Sequence, residues 1–162
     1  MPHTTNGRMW IIALSLVIAL MLTALPLPEW AVNWRPAWVA MVLIYWCMAL
    51  PERVGIGVSW MLGLLLDVQQ GTVLGQHALG LAVVAYITIK SHQRLRVFPL
   101  FQQALVVCGY ILLFQFIVLW IKGMLGTPPG HWSYWMPAFS SMLLWPWIFI
   151  VLRDVRRKFK IQ

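Results

Sequence analysis

Acidic residues are scarce in this 162-residue chain. Four Asp and Glu residues stand against twelve Lys and Arg residues, and the charged types together make up 10% of the sequence. Soluble domains are about 25% charged and about 45–50% apolar, whereas this chain is 61% apolar with a mean hydropathy of +0.78. So few charges could not cover a core of that size in water. The composition excludes a soluble enzyme domain and a disordered chain, and it predicts an all-α integral membrane protein.

Cysteine and catalytic motifs are equally sparse. The two cysteines, Cys47 and Cys108, fall inside apolar runs, so a structural disulfide is not expected. No H-E-x-x-H, G-x-S-x-G or phosphate-binding glycine–lysine motif occurs. No two of the four histidines have the spacing of a metal site on one helix face. We therefore expect no catalytic residue, no metal and no cofactor, and the protein is predicted not to be an enzyme.

The chain does contain six apolar runs that, with their flanks, are predicted to span a membrane. They cover approximately residues 10–27, 36–50, 54–68, 72–89, 100–121 and 135–152. A spanning helix needs about 20 residues, and the second and third runs are short. The third and fourth helices could therefore form a re-entrant pair, leaving four spans. Pro146 is expected to bend the last helix. The prediction is a single transmembrane domain that ends in a basic tail over residues 153–162.

Basic residues are distributed unevenly between the two predicted sides. With both termini in the cytoplasm, only Arg35 and Lys122 lie on the outer side. Ten lie on the inner side: Arg8, Arg53, Lys90, Arg94, Arg96, Arg153, Arg156, Arg157, Lys158 and Lys160. This bias predicts the orientation. The five bases of the tail are also expected to contact anionic lipid or a cytoplasmic partner, and nucleic acid is not expected, because the chain offers no element to read a groove.

Tryptophan is abundant, with eleven residues. Indole rings favour the headgroup level of a bilayer. Ten of the eleven lie near the ends of the predicted spans: Trp10, Trp30, Trp34, Trp38, Trp46, Trp120, Trp132, Trp135, Trp145 and Trp147. The sequence therefore predicts an aromatic belt, from which only Trp60 departs by lying in the middle of a span.

Asp67 is the one acidic residue predicted at membrane depth. It ends a stripe of small residues that recur every four positions and share one helix face: Gly55, Ser59, Gly63 and Asp67, followed by the pair Gly71 and Gly75. Small residues at this spacing let a second helix approach closely, so we expect the third and fourth helices to pack tightly. Asp67 is then a helix cap, or a group that binds a partner or an ion. For His77 we expect an inter-helix hydrogen bond, with pairing to Asp67 as the alternative.

Several short motifs follow one another in a fixed order. They are Arg35-Pro36-x-Trp38, Tyr45-Trp46-x-x-Ala49-Leu50-Pro51-x-Arg53-Val54, Gly63-x-x-x-Asp67 with Gly71, Leu74-Gly75 and Tyr86, Gln102-Gln103-Ala104-Leu105-Val106-Val107, and Trp145-Pro146-Trp147-Ile148-Phe149 with Arg153. In this order and spacing, the chain resembles the MreD family of rod-shape-determining proteins, in its gammaproteobacterial form. The resemblance covers nearly the whole chain and is weakest over residues 122–141.

The resemblance implies a non-catalytic scaffold or regulator in the bacterial inner membrane. Proteins of this kind work with the membrane-anchored MreC in the rod complex, or elongasome. Through MreC they work with the actin-like MreB filament, a RodA-type glycosyltransferase and a class B penicillin-binding protein in lateral peptidoglycan synthesis. The expected mechanism is docking of the MreC membrane helix on the faces that carry Gly63 and Gly75, and a homo-oligomer is left open. The family fold is similar to substrate-binding subunits of vitamin importers, so a subunit that binds a small molecule or lipid is the alternative.

Overall fold

The computed structural model describes residues 9–26, 28–29, 34–51, 54–71, 73–126 and 132–158. These ranges contain seven α-helices, one 3-10 helix and no strand. In chain order they are α1 Met9–Ala24, α2 Trp38–Ala49, α3 Ile56–Gln70, α4 Gln76–Lys90, α5 His92–Val97, α6 Leu100–Met124, the 3-10 helix Trp132–Trp135 and α7 Met136–Lys158. All helices except α5 and the 3-10 helix fall on the predicted apolar runs. The all-helical class predicted from composition is confirmed.

Two helices are long and apolar enough to cross a bilayer by themselves. They are α6, with 25 residues, and α7, with 23, which correspond to about 38 Å and about 35 Å against a hydrocarbon core of roughly 30 Å. The helices α1, α2, α3 and α4 have 16, 12, 15 and 15 residues. These four need their flanking residues to reach both interfaces. The lengths and composition are consistent with a membrane protein.

The helix α2 lies at the centre of the molecule. Eleven consecutive residues, 39–49, are buried, and α2 packs against α1, α4, α5, α6 and α7. A helix that is apolar on every face can be buried on every side without leaving a polar side chain unpaired. The pairs α3–α4, α4–α6 and α6–α7 complete the bundle around it.

Hydrogen bonds show which helix ends lie together. Arg35, just before α2, donates from Nη2 to the carbonyl of Leu25, just after α1, at 2.7 Å. The N–H of Ala37 donates to Oγ of Ser141, near the start of α7, at 2.9 Å. The end of α1 and the starts of α2 and α7 therefore share one end of the bundle, which we call the first end. The second end holds the C-terminus of α2 together with α5.

Two tryptophans predicted for the aromatic belt lie in the core instead. Trp46 and Trp145 are each 0% exposed. The indole N–H of Trp46 donates to Ser15 Oγ at 2.8 Å, and that of Trp145 donates to Gln103 Oε1 at 3.4 Å. Buried indoles are tolerated where their N–H finds such a partner. The belt prediction is wrong for these two residues. Four others are exposed: Trp10, Trp34, Trp120 and Trp147. Trp30 and the side chain of Trp132 lie outside the described part.

Two elements differ from the sequence prediction. The short helix α5 was not predicted, and α7 continues to Lys158, so residues 153–158 of the predicted tail are helical. Pro146 lies inside α7 without ending it. Arg8, Arg53 and Lys160 lie outside the described residues.

Candidate functional site

Asp67 is fully buried at the junction of α3 and α4. Its Oδ2 accepts the N–H of Gly75 at 2.9 Å, and its Oδ1 accepts the N–H of His77 at 2.9 Å. Both N–H groups belong to the start of α4, where backbone donors have no partner within the helix. The carboxylate therefore caps α4 from the preceding helix, and its negative charge lies at the positive end of the helix dipole.

His77 adds a side-chain contact to this cap. Its Nδ1 lies 2.7 Å from Oδ1 of Asp67, and its ring centroid lies 5.8 Å from that of Phe114 on α6. The structure thus contains both the cap predicted for Asp67 and the pairing with Asp67 that was the alternative for His77. One buried carboxylate receives donors from two residues of its own chain, and the cluster joins α3, α4 and α6.

Gly63 sets the distance between α3 and α4. A Cβ placed on Gly63 would lie 2.3 Å from Cα of Ala78 and 2.6 Å from its backbone nitrogen. Only glycine allows two helix backbones to approach this closely. The turn that joins the helices also depends on glycine. Gly71 has a φ of +70° and Gly75 a φ of +101°, a region that other residues adopt only with strain.

The predicted small-residue stripe is therefore used within the chain. Ser59, Gly63 and Asp67 are buried in the bundle, and the hydroxyl of Ser59 donates to the carbonyl of Gly55 at 2.9 Å. A partner helix cannot reach Gly63, because α4 already occupies that face. The face that carries Gly63 is thus used for packing of α3 on α4, whereas a Cβ at Gly55 or Gly75 would meet no neighbouring atom within 4 Å.

A second polar cluster lies at the second end of the bundle and was not predicted. Arg96 of α5 donates from Nε to the carbonyl of Met48 at 3.0 Å and from Nη2 to that of Ala49 at 2.6 Å. A cation at the last carbonyls of a helix is favourable. Gln103 donates to the carbonyl of Leu95 at 2.7 Å, which ties α5 to α6. In the sequence Arg96 is indicated only as a loop charge, because no local pattern indicates partners 47 and 48 residues away.

The two bases predicted on the outer side each have a partner within the chain. Arg35 caps α1 through Leu25, as described above. Lys122 Nζ lies 5.6 Å from the centroid of the Tyr134 ring, within the range of a cation–π contact. The hydroxyl of Tyr134 donates to the carbonyl of Gln115 at 2.7 Å, and burial raises the pKa of Tyr134 to about 12.

The remaining predicted site residues lie at helix ends and on α7. Pro36 and Trp38 at the start of α2, and Pro51 just after it, are half-buried. The exposed Trp147 was described above.

Four basic residues end α7. Arg153 and Arg156 are half-buried, whereas Arg157 and Lys158 are exposed. The Arg153 guanidinium lies 5.8 Å from the centroid of the Phe149 ring. The structure therefore does not bring these residues together with the Asp67 cluster.

An apolar groove of about 440 Å³ lies between α1 and α7, with α2 as its floor. Three tryptophans border it, namely Trp10 on α1, Trp38 on α2 and Trp147 on α7. On α1 its lining runs from Trp10 to Leu22, about 18 Å along the helix axis. An apolar groove of this length on a helical bundle suits an apolar occupant.

The sequence predicts no metal site, and the structure describes side chains over the ranges given above. Within those ranges, no group of three or more His, Cys, Asp or Glu residues could hold a metal ion. Cys47 and Cys108 are both free thiols buried in the bundle. The described residues therefore provide helix caps, close packing between helices and the apolar groove between α1 and α7.

Comparison with known proteins gives two matches. The sequence model of the rod shape-determining protein MreD matches residues 4–155. The chain is also 39% identical over 154 residues to the rod shape-determining protein MreD of Haemophilus influenzae, an alignment that covers 94% of this chain and 95% of that protein. No solved structure matches the chain.

Proposed function

The chain belongs to the MreD family of rod shape-determining proteins, and from this membership we propose that it is a scaffold of the cell-wall elongation machinery. The family acts in shape determination and not as an enzyme. In the proposal the protein crosses the inner membrane six times with both termini in the cytoplasm. It binds MreC directly and, through MreC, supports MreB, a RodA-type glycosyltransferase and a class B penicillin-binding protein. The observation that carries the proposal is the family match over nearly the whole chain.

The contacts between helices support the proposed topology. The side chain of Gln69, near the end of α3, donates to the carbonyl of Leu20, near the end of α1, at 2.9 Å. The helices α1 and α3 therefore run in the same direction, opposite to α2. The two exceptions to the inner charge bias, Arg35 and Lys122, both have partners within the chain. Their position follows from structural contacts, so they do not weaken the orientation that the other bases indicate.

The groove between α1 and α7 is the proposed docking surface for the membrane helix of MreC. The face that carries Gly63 is unavailable, because α4 packs on it. The groove is apolar, lies along the helices and continues for about three turns of α1. In a bilayer, helices associate through packing rather than through a hydrophobic force, so a preformed groove favours one helix partner over lipid.

A tryptophan placed in the groove tests this docking. Ile18 lines the groove and is 47% exposed, so Ile18→Trp fills the groove without disturbing the core. Overpacking of this kind costs about 1–3 kcal/mol, and we expect co-purification of MreC with the full chain to fall about tenfold. Leu65→Trp is the matched control, because Leu65 is a similarly exposed residue on α3 and lies outside the groove.

The cellular result should follow the binding result. Cells that carry Ile18→Trp are expected to become round, whereas cells that carry Leu65→Trp stay rod-shaped. Equal recovery of MreC with both variants would remove the groove as the interface. A normal rod shape after clean deletion of the chain in a rod-shaped host would overturn the scaffold proposal itself.

The alternative function is a subunit that binds a small molecule or lipid, and it rests on the similarity of the family fold to importer subunits and on the polar residues Asp67–Gln70, Gln76 and His77. In the structure the carboxylate of Asp67 accepts donors from Gly75 and His77 of its own chain. A carboxylate occupied in this way acts as a cap and stabilises the bundle. This observation favours the scaffold over the importer-like alternative.

A further inference from the structure

A cavity of about 470 Å³ lies where α4 ends and α5 begins. Its lining residues are Tyr86, Ile87, Lys90, Ser91 and Arg94. Lys90 and Arg94 are exposed, and among the described residues neither forms an ion pair with an acidic side chain. The cavity therefore carries two positive charges that no carboxylate of the described chain neutralises.

The walls of this cavity are held in place by neighbouring helices. The hydroxyl of Ser91 lies 2.7 Å from that of Tyr110 on α6, and it also donates to the carbonyl of Ile87 at 2.8 Å. The cap that Arg96 makes on α2 fixes α5. The ammonium of Lys90 lies 5.6 Å from the ring centroid of Tyr86. A site whose groups are already positioned loses less entropy when it binds a ligand.

An apolar strip of α4 continues from the cavity. Tyr86 is 51% exposed and Leu79 is 49% exposed. They are seven residues apart, so they lie on the same face of the helix, about 10 Å from each other along its axis. A ligand with an anionic head in the cavity could therefore lay an apolar chain on this strip.

We propose that the cavity binds the phosphate headgroup of one anionic phospholipid, with an acyl chain along the strip from Leu79 to Tyr86. The Lys90 ammonium and the Arg94 guanidinium supply the charge-assisted hydrogen bonds. Basic pockets at the cytoplasmic side of membrane helices are suited to anionic headgroups. The adjacent apolar strip distinguishes a lipid from free phosphate, because free phosphate has no apolar group to contact the strip. The proposal depends on the chain lying in a bilayer and not on MreC binding.

Lipid binding can be measured by native mass spectrometry of the full chain in detergent, with dioleoyl phosphatidylglycerol as the anionic probe and dioleoyl phosphatidylcholine as the neutral one. The test variant is Lys90→Gln with Arg94→Gln. Since each base near an anionic surface contributes about fivefold, affinity for the anionic lipid should fall roughly 25-fold. The control is Lys122→Gln, which removes a base from the C-terminal end of α6, away from the cavity, and should reduce affinity less than about threefold.

Three results would overturn the proposal. They are an equal loss in the test variant and in Lys122→Gln, unchanged binding in the test variant, and displacement of the lipid by an equal concentration of inorganic phosphate. A charge-preserving variant, Lys90→Arg with Arg94→Lys, guards against misfolding. It should keep affinity within about threefold of the original chain, and loss of binding in this variant would also count against the proposal.

Discussion

Replacing Gly63 with alanine tests how closely α3 and α4 approach. The added Cβ would lie 2.3 Å from Cα of Ala78 and 2.9 Å from the carbonyl carbon of His77, whereas carbon atoms pack best at about 3.5–4.0 Å. All the clashing atoms belong to helix backbone, so no change of rotamer relieves the overlap. The two helices must separate by roughly an ångström or more.

That separation also acts on the Asp67 cap. Its bonds to the N–H groups of Gly75 and His77 are 2.9 Å long, and N–H···O bonds extend to about 3.2 Å. Overpacking costs about 1–3 kcal/mol, and a lost hydrogen bond to a charged group costs about 1.5–3 kcal/mol. The better helix propensity of alanine offsets up to about 1 kcal/mol. We expect Gly63→Ala to lower the free energy of unfolding by about 3 kcal/mol.

Two other glycines of the same helix pair are matched controls. A Cβ at Gly57 would meet no atom of a neighbouring element within 4 Å, so Gly57→Ala should be neutral or slightly stabilising. A Cβ at Gly80 would meet the ring of Phe114 at 2.7 Å. That side chain can turn, so Gly80→Ala should cost about 1 kcal/mol.

Thermal unfolding of the full chain in detergent, followed by tryptophan fluorescence, measures this series. At about 2–4 °C per kcal/mol for a chain of this size, Gly63→Ala should lower the Tm by about 6–12 °C, Gly80→Ala by less, and Gly57→Ala hardly at all. If Gly63→Ala unfolds within about 1 °C of Gly57→Ala, the helices do not approach as described and the reasoning is refuted.

Three further perturbations test the polar contacts. Asp67→Asn keeps the shape of the cap but removes its charge, so in the same thermal assay it should cost about 1–2 kcal/mol, less than Asp67→Ala, which leaves buried donors unpaired; equal losses would contradict the cap. Arg96→Gln should cost about 1.5–3 kcal/mol through lost bonds to the end of α2, and an effect no larger than that of the exposed Arg157→Gln would contradict this role. The pKa of Tyr134 is raised to about 12 from an unfolded value near 10, so its contribution to stability is constant below about pH 10 and is lost as the pH rises toward 12. Tyr134→Phe should flatten this alkaline decline, and an unchanged pH profile would exclude the assignment.

The positions and lengths of the apolar runs predict most of the helices in this chain. Each long run supplies a helix whose bounds differ from the prediction by a few residues, because apolar composition marks the hydrocarbon segment and not the last hydrogen bond. The helix α7 shows this well. It continues through Arg153 and Arg156 to Lys158, since bases favour the C-terminal turn of a helix as well as the membrane surface.

The short helix α5 could not be predicted from the sequence. Six residues are too few for a helical period to appear. The contacts that hold α5 are the burial of Leu95, the bond from Gln103 to the Leu95 carbonyl, and the bonds from Arg96 to the end of α2, which lies 47 and 48 residues away. The Asp67 cluster was partly predictable, because its four-residue spacing is local, whereas the contact with His77 depends on the turn through Gly75. The groove is lined by α1, α2 and α7, and no local sequence pattern indicates that these three helices are neighbours.

The central position of α2 has a consequence for biosynthesis. Ribosomes complete α2 before α4, α6 and α7, the later helices that cover it in the finished bundle. In the proposed six-span topology, the faces of α2 that α1 leaves uncovered contact lipid until those helices arrive, and a charged side chain in lipid is expensive. The segment Trp38–Ala49 contains no charged residue, no histidine and no side-chain amide. It is therefore suited to insert into the bilayer as an independent helix before the later helices pack on it. The polar residues that join the bundle, such as Asp67 and Gln103, lie on helices made later. The order of synthesis thus limits which helix can occupy the centre.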